Sequence, residues 1–208
     1  MNHLISILMP VKNAVPFLKE CIESILKQDE EHWELIAVND HSTDDSLDIL
    51  KNYANQEARI KVLNSEEKGV IAALRKAYQH SRGDLIHRMD ADDLMPEKKL
   101  SSLKQALLNS NVGSVVTGKV QYFSKEGLNE GYKKNEAWLN QLCAEKNHWQ
   151  DIYKECVIAS PNWIIRKSDL DKVGAFQANR YPEDYDLVFR FYKANYQVVC
   201  LERVTHFW

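Results

Sequence analysis

The first half of the chain alternates short apolar runs with amphipathic segments. The apolar runs are typical of buried strands and cover residues 5–9, 34–38, 60–63 and 85–89. Each is followed by a segment in which apolar residues recur every three or four positions, as on one face of a helix. These predicted helices lie at 15–27, 47–54, 69–80 and 96–108. The alternation predicts an α/β fold with a mainly parallel sheet and helices on both faces.

The second half of the chain has a less regular pattern. It predicts strands at 112–123, 163–165 and 197–201, helices within 136–153 and at 184–194, and a polar loop at 125–134. No internal repeat, low-complexity tract or linker divides the sequence. We therefore predict one domain over residues 1–208, made of a regular half at 1–110 and a smaller mixed half at 111–208.

The composition is that of an ordinary globular protein, with 44% hydrophobic and 27% charged residues. Lys and Arg number 27 against 30 Asp and Glu, so no binding to nucleic acid is expected. No apolar run approaches the roughly 18 residues of a membrane span, and no signal region precedes the first strand, so a cytoplasmic location is expected. The four cysteines are scattered and predict reduced, buried thiols rather than a zinc site.

The tetrad Asp90-Ala91-Asp92-Asp93 directly follows the fourth predicted strand. Its carboxylates repel one another unless a cation neutralises them. Mg²⁺ and Mn²⁺ take oxygen ligands and often share one or two carboxylates with the phosphates of a ligand. The tetrad therefore indicates a site for a divalent cation and a phosphorylated ligand. The alternative is that Asp92 or Asp93 caps the helix opening near Pro96 while the other carboxylates are solvated.

Polar turns follow the first, second and fourth predicted strands, at Lys12-Asn13, at Asn39-Asp40 and at the tetrad. Ligands of parallel sheets bind beyond the carboxyl ends of the strands, so we expect these turns to meet at one edge. The sequence holds seven glycines and neither G-x-G-x-x-G nor G-x-x-x-x-G-K-[ST]. A metal, rather than a cradle of backbone amides, is therefore expected to carry the phosphate charge.

Two further residues are candidates for contacts to a nucleotide. Asp40 could accept hydrogen bonds from a base or ribose, or else form an Asx turn or cap the next helix, a role that also suits Ser42 or Thr43. Lys68 could meet a base or phosphate, or else be a solvated lysine at the start of a helix.

A second acidic cluster, Tyr181-Pro182-Glu183-Asp184-Tyr185-Asp186, opens the predicted helix at 184–194. Its aromatic residues would limit the access of water to Glu183 and Asp184 and favour a carboxylate that takes up a proton. The alternative is a capping and dipole role, which the order of proline and acidic residues also fits. His206 is a candidate metal ligand or phosphate contact, or else has neither role.

Together these segments resemble the family 2 glycosyltransferases of the GT-A fold. The matching stretches lie at 7–13, 24–28, 33–46, 69–73, 90–93 and 183–187, with Arg190. Their order and spacing cover nearly the whole chain. The resemblance implies an inverting, metal-dependent enzyme that moves one hexose or N-acetylhexosamine. The donor would be a nucleotide-diphosphate sugar, UDP-linked by expectation, and the acceptor a hydroxyl of a glycan or lipid-linked saccharide.

The resemblance also implies roles for individual residues. The half at 1–110 would bind the nucleotide sugar through Pro10, Val11, Asn13, Asp40, Lys68, Asp90 and Asp93. Asp92 and His206 would hold the Mn²⁺ or Mg²⁺ that bridges the diphosphate, with Asp93 a rival to Asp92 by spacing. The half at 111–208 would bind the acceptor and supply Asp184 as catalytic base, with Glu183 beside it.

Several features depart from the family pattern. His41 replaces a common glycine, and Ala73-Leu74-Arg75 replaces Ala-Arg-Asn, so we expect a phosphate-contacting arginine to be either displaced or absent. The Q/R-x-x-R-W stretch of processive synthases is missing from the sequence, which favours transfer of a single sugar. The segment at 205–208 often continues in the family. A longer native chain is therefore expected, which could associate with the inner face of a membrane.

Other classes of protein fit less well. Nucleotidyl transfer would need a glycine-rich basic loop after the first strand, and an aspartyl phosphatase would carry D-x-D on that strand rather than after the fourth. The remaining alternative is a non-catalytic nucleotide- or sugar-binding domain of the same fold. Asp92 and Asp184 argue against it, because a pure binding module needs no base.

Overall fold

Seven strands form one sheet in the computed structural model, which describes residues 3–124, 127–178 and 182–208. The strands are β1 Ile5–Val11, β2 Trp33–Asn39, β3 Ile60–Asn64, β4 Leu85–Arg88, β5 Ser114–Gln121, β6 Trp163–Arg166 and β7 Gln197–Phe207. They lie in the order β3-β2-β1-β4-β6-β5-β7. β6 is antiparallel to β4 and β5, and the other pairs are parallel. The predicted mainly parallel sheet with a mixed second half is confirmed.

The direction of the strands decides where a ligand site can form. Because β6 is antiparallel to both of its neighbours, β5 and β7 run the same way as β1 to β4. The carboxyl ends of all strands except β6 therefore meet at one edge of the sheet, where ligands of such sheets bind.

Helices cover both faces of the sheet, as predicted. Their bounds are α1 Val15–Leu26, α2 Ser46–Gln56, α3 Val70–Gln79, α4 Lys99–Leu108, α5 Glu130–Glu145, α6 Lys167–Lys172 and α7 Glu183–Lys193. Alternate β1 residues point to opposite faces. Ile7 packs in a cluster that also holds Ile22 of α1 and residues of α2 and α4, whereas Leu8 packs with residues of α3, α5, α6 and α7.

β1 continues through Pro10 to Val11, whereas the sequence predicts its end at residue 9. Its pairing with β4 stops at Leu8 opposite Arg88, while its pairing with β2 continues to Val11 opposite Asn39. Proline has no backbone N–H to donate to a neighbouring strand. It is tolerated at this position because β4, on one side, has already ended. The longer strand carries Pro10 and Val11 out to the edge where the turns meet.

The second half departs most from prediction. α5 begins at Glu130, inside the predicted loop, because the Asn129 side chain accepts a hydrogen bond from Tyr132 N. It ends at Glu145, before Lys146 at a φ of 55°. β7 extends to Phe207 because it pairs with β5 along its length, with register shifts near Lys119. The short helix α6 was not predicted. Lys125, Glu126 and Tyr181, which belong to the predicted loop and to the second acidic cluster, lie outside the described residues.

The prediction that all cysteines are reduced is wrong for two of them. Cys143 on α5 and Cys200 on β7 form a disulfide, with Cα atoms 5.3 Å apart and the two cysteines 57 positions apart in sequence. Cys21 is buried and Cys156 partly buried, and both are free thiols. The pairing depends on α5 packing across β7, a contact that the spacing of cysteines does not reveal. None of the helices in the described ranges is long and apolar enough to cross a membrane.

Candidate functional site

A cleft of about 420 Å³ opens at the carboxyl ends of β1, β2 and β4. It is lined by Pro10, Val11, Lys12, Asn13, Ala14, Phe17, Asp40, Gly69, Val70, Arg88, Asp90, Ala91 and Asp92. The polar turns after the first, second and fourth strands therefore meet, as the sequence predicts. Lys68 is exposed and precedes Gly69, the first residue of that segment to line the cleft.

The loops after β1 and β2 are tied to each other. Asn13 Oδ1 accepts a hydrogen bond from Thr43 N at 2.8 Å, and Asn13 N donates to Ser42 Oγ at 3.1 Å. Asn13 and His41 have φ values of 50° and 54°, in the left-handed region. His41 thus adopts a conformation that favours glycine, the residue that the resemblance implies at this position. Ser42 and Thr43 serve the loop, and α2 begins only at Ser46, so neither caps that helix.

Asp40 forms the side of the cleft opposite the tetrad and is buried. Its Oδ1 accepts a hydrogen bond from Gly69 N at 2.9 Å, and its Oδ2 lies 3.9 Å from Lys12 Nζ. Asp40 therefore holds Gly69, the residue directly before α3, in place and does not cap α2. Gly69 has a φ of 115°, a conformation that other residues rarely adopt.

The three carboxylates of the tetrad have different surroundings. Asp92 is exposed in the cleft, Asp90 is half-buried there, and Asp93 is buried behind them. The alternative in which Asp92 or Asp93 caps the next helix is wrong, because α4 begins at Lys99 with Lys98 as its N-cap. The tetrad is therefore part of the cleft wall.

Arg88, the last residue of β4, links the two acidic clusters. Its Nε and Nη2 donate to the carboxylate of Asp90 at 2.9 and 3.3 Å, and its Nη1 donates to Glu183 Oε1 at 2.9 Å. Arg88 lines the cleft, so this bridge holds the first turn of α7 beside it. The motifs of the sequence do not identify Arg88 as a site residue. An arginine within an otherwise apolar strand could have indicated it, because a buried guanidinium needs acidic partners.

Asp184 lies beside Glu183 in the first turn of α7 and is partly buried. Glu183 pairs with Arg88 and Asp186 with Arg190 at 2.8 Å. Within the described ranges Asp184 pairs with neither a lysine nor an arginine. N-cap Pro182 makes no side-chain capping bond, and Asp184 Oδ1 accepts from the adjacent Tyr185 N at 2.7 Å. Asp184 is thus the carboxylate of this cluster without a cationic partner among the described residues.

A buried polar group lies behind the tetrad. Lys99 Nζ donates to Pro161 O at 3.0 Å and lies 3.0 Å from His206 Nδ1, while His206 Nε2 lies 3.2 Å from Asp93 Oδ2. Burial, and then the charge of Lys99, lower the pKa of His206 well below its ordinary value, so the imidazole is neutral at pH 7. Burial, with the charges of Asp90 and Asp92, raises the pKa of Asp93 to about 8. His206 therefore contacts Asp93 rather than lining the cleft with Asp92.

The donor set of the cleft fits a hard divalent cation that is completed by a phosphorylated ligand. Such ions are commonly held by one or two carboxylates together with substrate phosphates, and Asp92 presents an exposed carboxylate in the cleft. In residues 3–124, 127–178 and 182–208 no group of three or more His, Cys, Asp and Glu side chains could hold a metal ion by itself. Phosphate oxygens would therefore have to supply further ligands.

The sequence profile of the family described as Glycosyl transferase family 2 matches residues 6–174. The chain is 28% identical over 202 residues to glycosyltransferase GlyG of Streptococcus pneumoniae serotype 4, an alignment that covers 92% of this chain and 66% of GlyG. The matched segment thus spans slightly less than two thirds of that relative.

Two solved structures share the fold. TarS 1–349 of S. aureus in complex with UDP-GlcNAc has a TM-score of 0.77 at 21% identity, covering 99% of this chain and 58% of that one. Mannosyltransferase PcManGT from Pyrobaculum calidifontis, in complex with GDP-Man and Mn²⁺, has a TM-score of 0.77 at 18% identity, covering 100% of this chain and 57% of that one. These likenesses confirm the GT-A fold that the sequence predicts.

Proposed function

The chain belongs to glycosyl transferase family 2, and we propose that it transfers one sugar, with inversion, from a nucleotide-diphosphate sugar to a hydroxyl of a saccharide acceptor. The observation that carries this proposal is the bridge from Asp90 through Arg88 to Glu183. It joins a cleft suited to a nucleotide diphosphate with the helix that presents Asp184. In this proposal the donor site and the general base would lie side by side.

The donor half of the proposal rests on the walls of the cleft. Pro10 and Val11 offer an apolar surface to a base, and the buried carboxylate of Asp40 lies on the same wall. Asp40 would accept a hydrogen bond from the base, and a uracil N–H is the expected donor. The TarS complex contains UDP-GlcNAc and the PcManGT complex GDP-Man, which supports a nucleotide-diphosphate sugar as ligand.

The metal half of the proposal rests on Asp92. Its exposed carboxylate would hold Mn²⁺ or Mg²⁺ beside the diphosphate, with Asp90 facing the ribose or sugar. When bound, such a cation supplies positive charge that stabilises the diphosphate as a leaving group. His206 as a further ligand stays a prediction from the resemblance. Asp93 and Lys99 would support the wall from behind, since both are buried.

Asp184 is the proposed general base. It would take the proton of an acceptor hydroxyl as the hydroxyl oxygen attacks the anomeric carbon from the face opposite the diphosphate. Attack and departure on opposite faces invert the configuration. Glu183 would not share this role, because its carboxylate pairs with Arg88 at 2.9 Å. It would instead hold the first turn of α7 in place.

The test is turnover of UDP- and GDP-linked sugars, measured as release of the nucleoside diphosphate with and without saccharide acceptors. Asp184→Asn should bind donor like the wild type and lose transfer by at least about a hundredfold, the lower range for a general base. Asp48→Asn, an exposed aspartate in the first turn of α2, is the matched control and should keep full activity. Wild-type transfer retained in Asp184→Asn would remove it from the base role. A wild type that binds donor but releases no product would favour a non-catalytic domain.

A further inference from the structure

A second cavity, of about 390 Å³, opens at the same edge of the sheet as the cleft. It is lined by Tyr122, Asn129, Gly131, Tyr132, Asn135, Glu155 and Trp208. Tyr122 directly follows β5 and Trp208 directly follows β7. Because β5 and β7 run in the same direction as β1, β2 and β4, both cavities face the same side of the molecule.

Aromatic rings form one wall of this cavity. Tyr122 stacks on Trp208 with ring centroids 4.9 Å apart and contacts Tyr132 at 5.5 Å. Tyr122 is 7% exposed, whereas Tyr132 is 54% and Trp208 39% exposed. The buried ring of Tyr122 thus supports two rings that are partly exposed to solvent. We call Tyr122, Tyr132 and Trp208 the aromatic wall.

Hydrogen bonds fix the aromatic wall in place. Tyr122 OH donates to Asn135 Oδ1 at 2.7 Å, and Tyr132 N donates to Asn129 Oδ1 at 3.0 Å. Trp208 N donates to Gln121 O and Phe123 N donates to Trp208 O, each at 2.9 Å, so the ladder between β5 and β7 reaches Trp208. The rings are therefore preorganised on the ends of strands and on the first turn of α5, which lowers the entropic cost of binding a ligand.

The aromatic wall is connected to the residues proposed for catalysis. The Trp208 ring lies 6.4 Å from the ring of His206, which contacts Asp93 behind the cleft. On the other side, Tyr185 OH donates to Ile152 O at 2.6 Å. This bond ties the first turn of α7, which carries Asp184, to the segment that leads to Glu155 in the lining of the second cavity.

The lining combines two kinds of group that suit a sugar ring. Flat aromatic faces pack against the C–H bonds of a pyranose, and amide and carboxylate groups pair with its hydroxyls. Here the side chains of Asn129, Asn135 and Glu155 stand beside the rings. A nucleotide is a poorer occupant, because Glu155 would repel its phosphates and no lysine or arginine is among the described lining residues.

We propose that this cavity is a subsite for a neutral pyranose of the acceptor saccharide, stacked on Tyr132 and Trp208. The inference rests on the proposed function, because it takes the neighbouring cleft as the donor site. The acceptor would extend from Asp184, past Glu155, onto the aromatic wall. An acceptor of at least two sugar units is therefore expected, one at the base and one on the rings.

The test is binding of maltose, lactose, mannobiose and chitobiose, measured by saturation-transfer NMR with UDP and Mg²⁺ present. At least one disaccharide should bind the wild type. Tyr132→Ala and Trp208→Ala should weaken that binding by about tenfold or more, and Tyr132→Phe should retain it, since the ring face is what stacks. Tyr153→Ala is the matched control, because Tyr153 is 76% exposed on a different surface, packed against Phe189 of α7. Melting temperatures check that all variants fold.

The outcomes separate this inference from the proposed function. Disaccharide binding that depends on Tyr132 but is accompanied by no donor turnover would keep the sugar subsite and reject the transferase. Donor turnover without disaccharide binding, or with binding that Tyr132→Ala and Trp208→Ala leave unchanged, would reject the subsite and keep the transferase. An equal loss in Tyr153→Ala would also overturn the assignment to these rings.

Discussion

At the scale of single residues, Arg88 decides how the site is assembled. It is nearly buried, yet its three donors reach two carboxylates on different elements, 2 and 95 positions away in sequence. A planar guanidinium suits this fork, whereas the single ammonium group of lysine does not. Breaking a buried ion pair by removing one partner is costly, because the remaining charges stay poorly solvated.

We therefore expect Arg88→Met to lower the free energy of unfolding by about 3 kcal/mol and to weaken donor binding. Arg88→Lys should recover part of the stability but not the binding. Lys51→Met is the control: Lys51 pairs with Asp48, but the two side chains are 57% and 76% exposed, so a loss below about 1 kcal/mol is expected. Urea denaturation and calorimetric titration measure both effects. Equal stability of Arg88→Met and wild type would contradict the bridge.

His148 gives a prediction on pH. Burial lowers its pKa to about 4, against an ordinary value of 6.5. Between these values the unfolded chain takes up a proton that the folded chain does not, so stability falls as pH falls from 6.5 toward 4. From pH 7 to pH 5 this histidine should remove about 2 kcal/mol of stability.

The comparison of wild type with His148→Gln isolates this contribution, because His87 and His206, whose pKa values are also lowered by burial, are present in both proteins. Urea denaturation at pH 7 and pH 5 should show a smaller loss of stability in the variant. The same loss in both proteins would show that His148 takes up its proton in the folded state.

At the scale of elements, the ends of α5 show what the pattern of apolar residues leaves open. The sequence places a helix within 136–153, but the structure begins it directly after Asn129 and ends it directly before Lys146. Each end depends on local backbone geometry: an asparagine cap at one end and a left-handed lysine at the other. Periodicity identifies Leu139 and Leu142 of the buried stripe but does not locate such caps.

A lysine-to-glycine substitution should have opposite effects on the free energy of unfolding at the end of α5 and in its interior. Lys146→Gly should raise the free energy of unfolding by about 1 kcal/mol, because glycine adopts the φ of 55° without strain. Lys133→Gly, at an exposed position inside the same helix, should lower it by about 1 kcal/mol. Urea denaturation of both variants measures the difference. Destabilisation by both substitutions would show that Lys146 is not held in the left-handed region.

At the scale of the whole molecule, the sequence alone predicts the parallel sheet and the edge where the polar turns meet. The reason is that both follow from local patterns: buried strands, and polar residues directly after them. The antiparallel direction of β6, the Arg88 bridge and the Cys143–Cys200 disulfide could not be predicted in this way. Each depends on contacts between segments far apart in sequence, which local periodicity does not encode.

Local sequence patterns also cannot show that Asp92 and Asp93 have different environments. By their spacing in sequence, the two residues are nearly equivalent as metal ligands. The fold exposes Asp92 in the cleft and buries Asp93 against His206, a residue that reaches this position only because β7 continues to Phe207. Burial therefore favours Asp92 as the residue to test.

Calorimetric titration of the protein with UDP and GDP, with and without Mn²⁺, tests the central claim most directly. We expect one nucleotide to bind the wild type and Mn²⁺ to tighten that binding by about tenfold or more, which corresponds to about 1.4 kcal/mol. Asp92→Asn should bind the nucleotide without metal as the wild type does and gain nothing from Mn²⁺, while Asp48→Asn should behave as the wild type. A wild type that binds neither nucleotide under either condition would contradict the assignment of the cleft as a donor site.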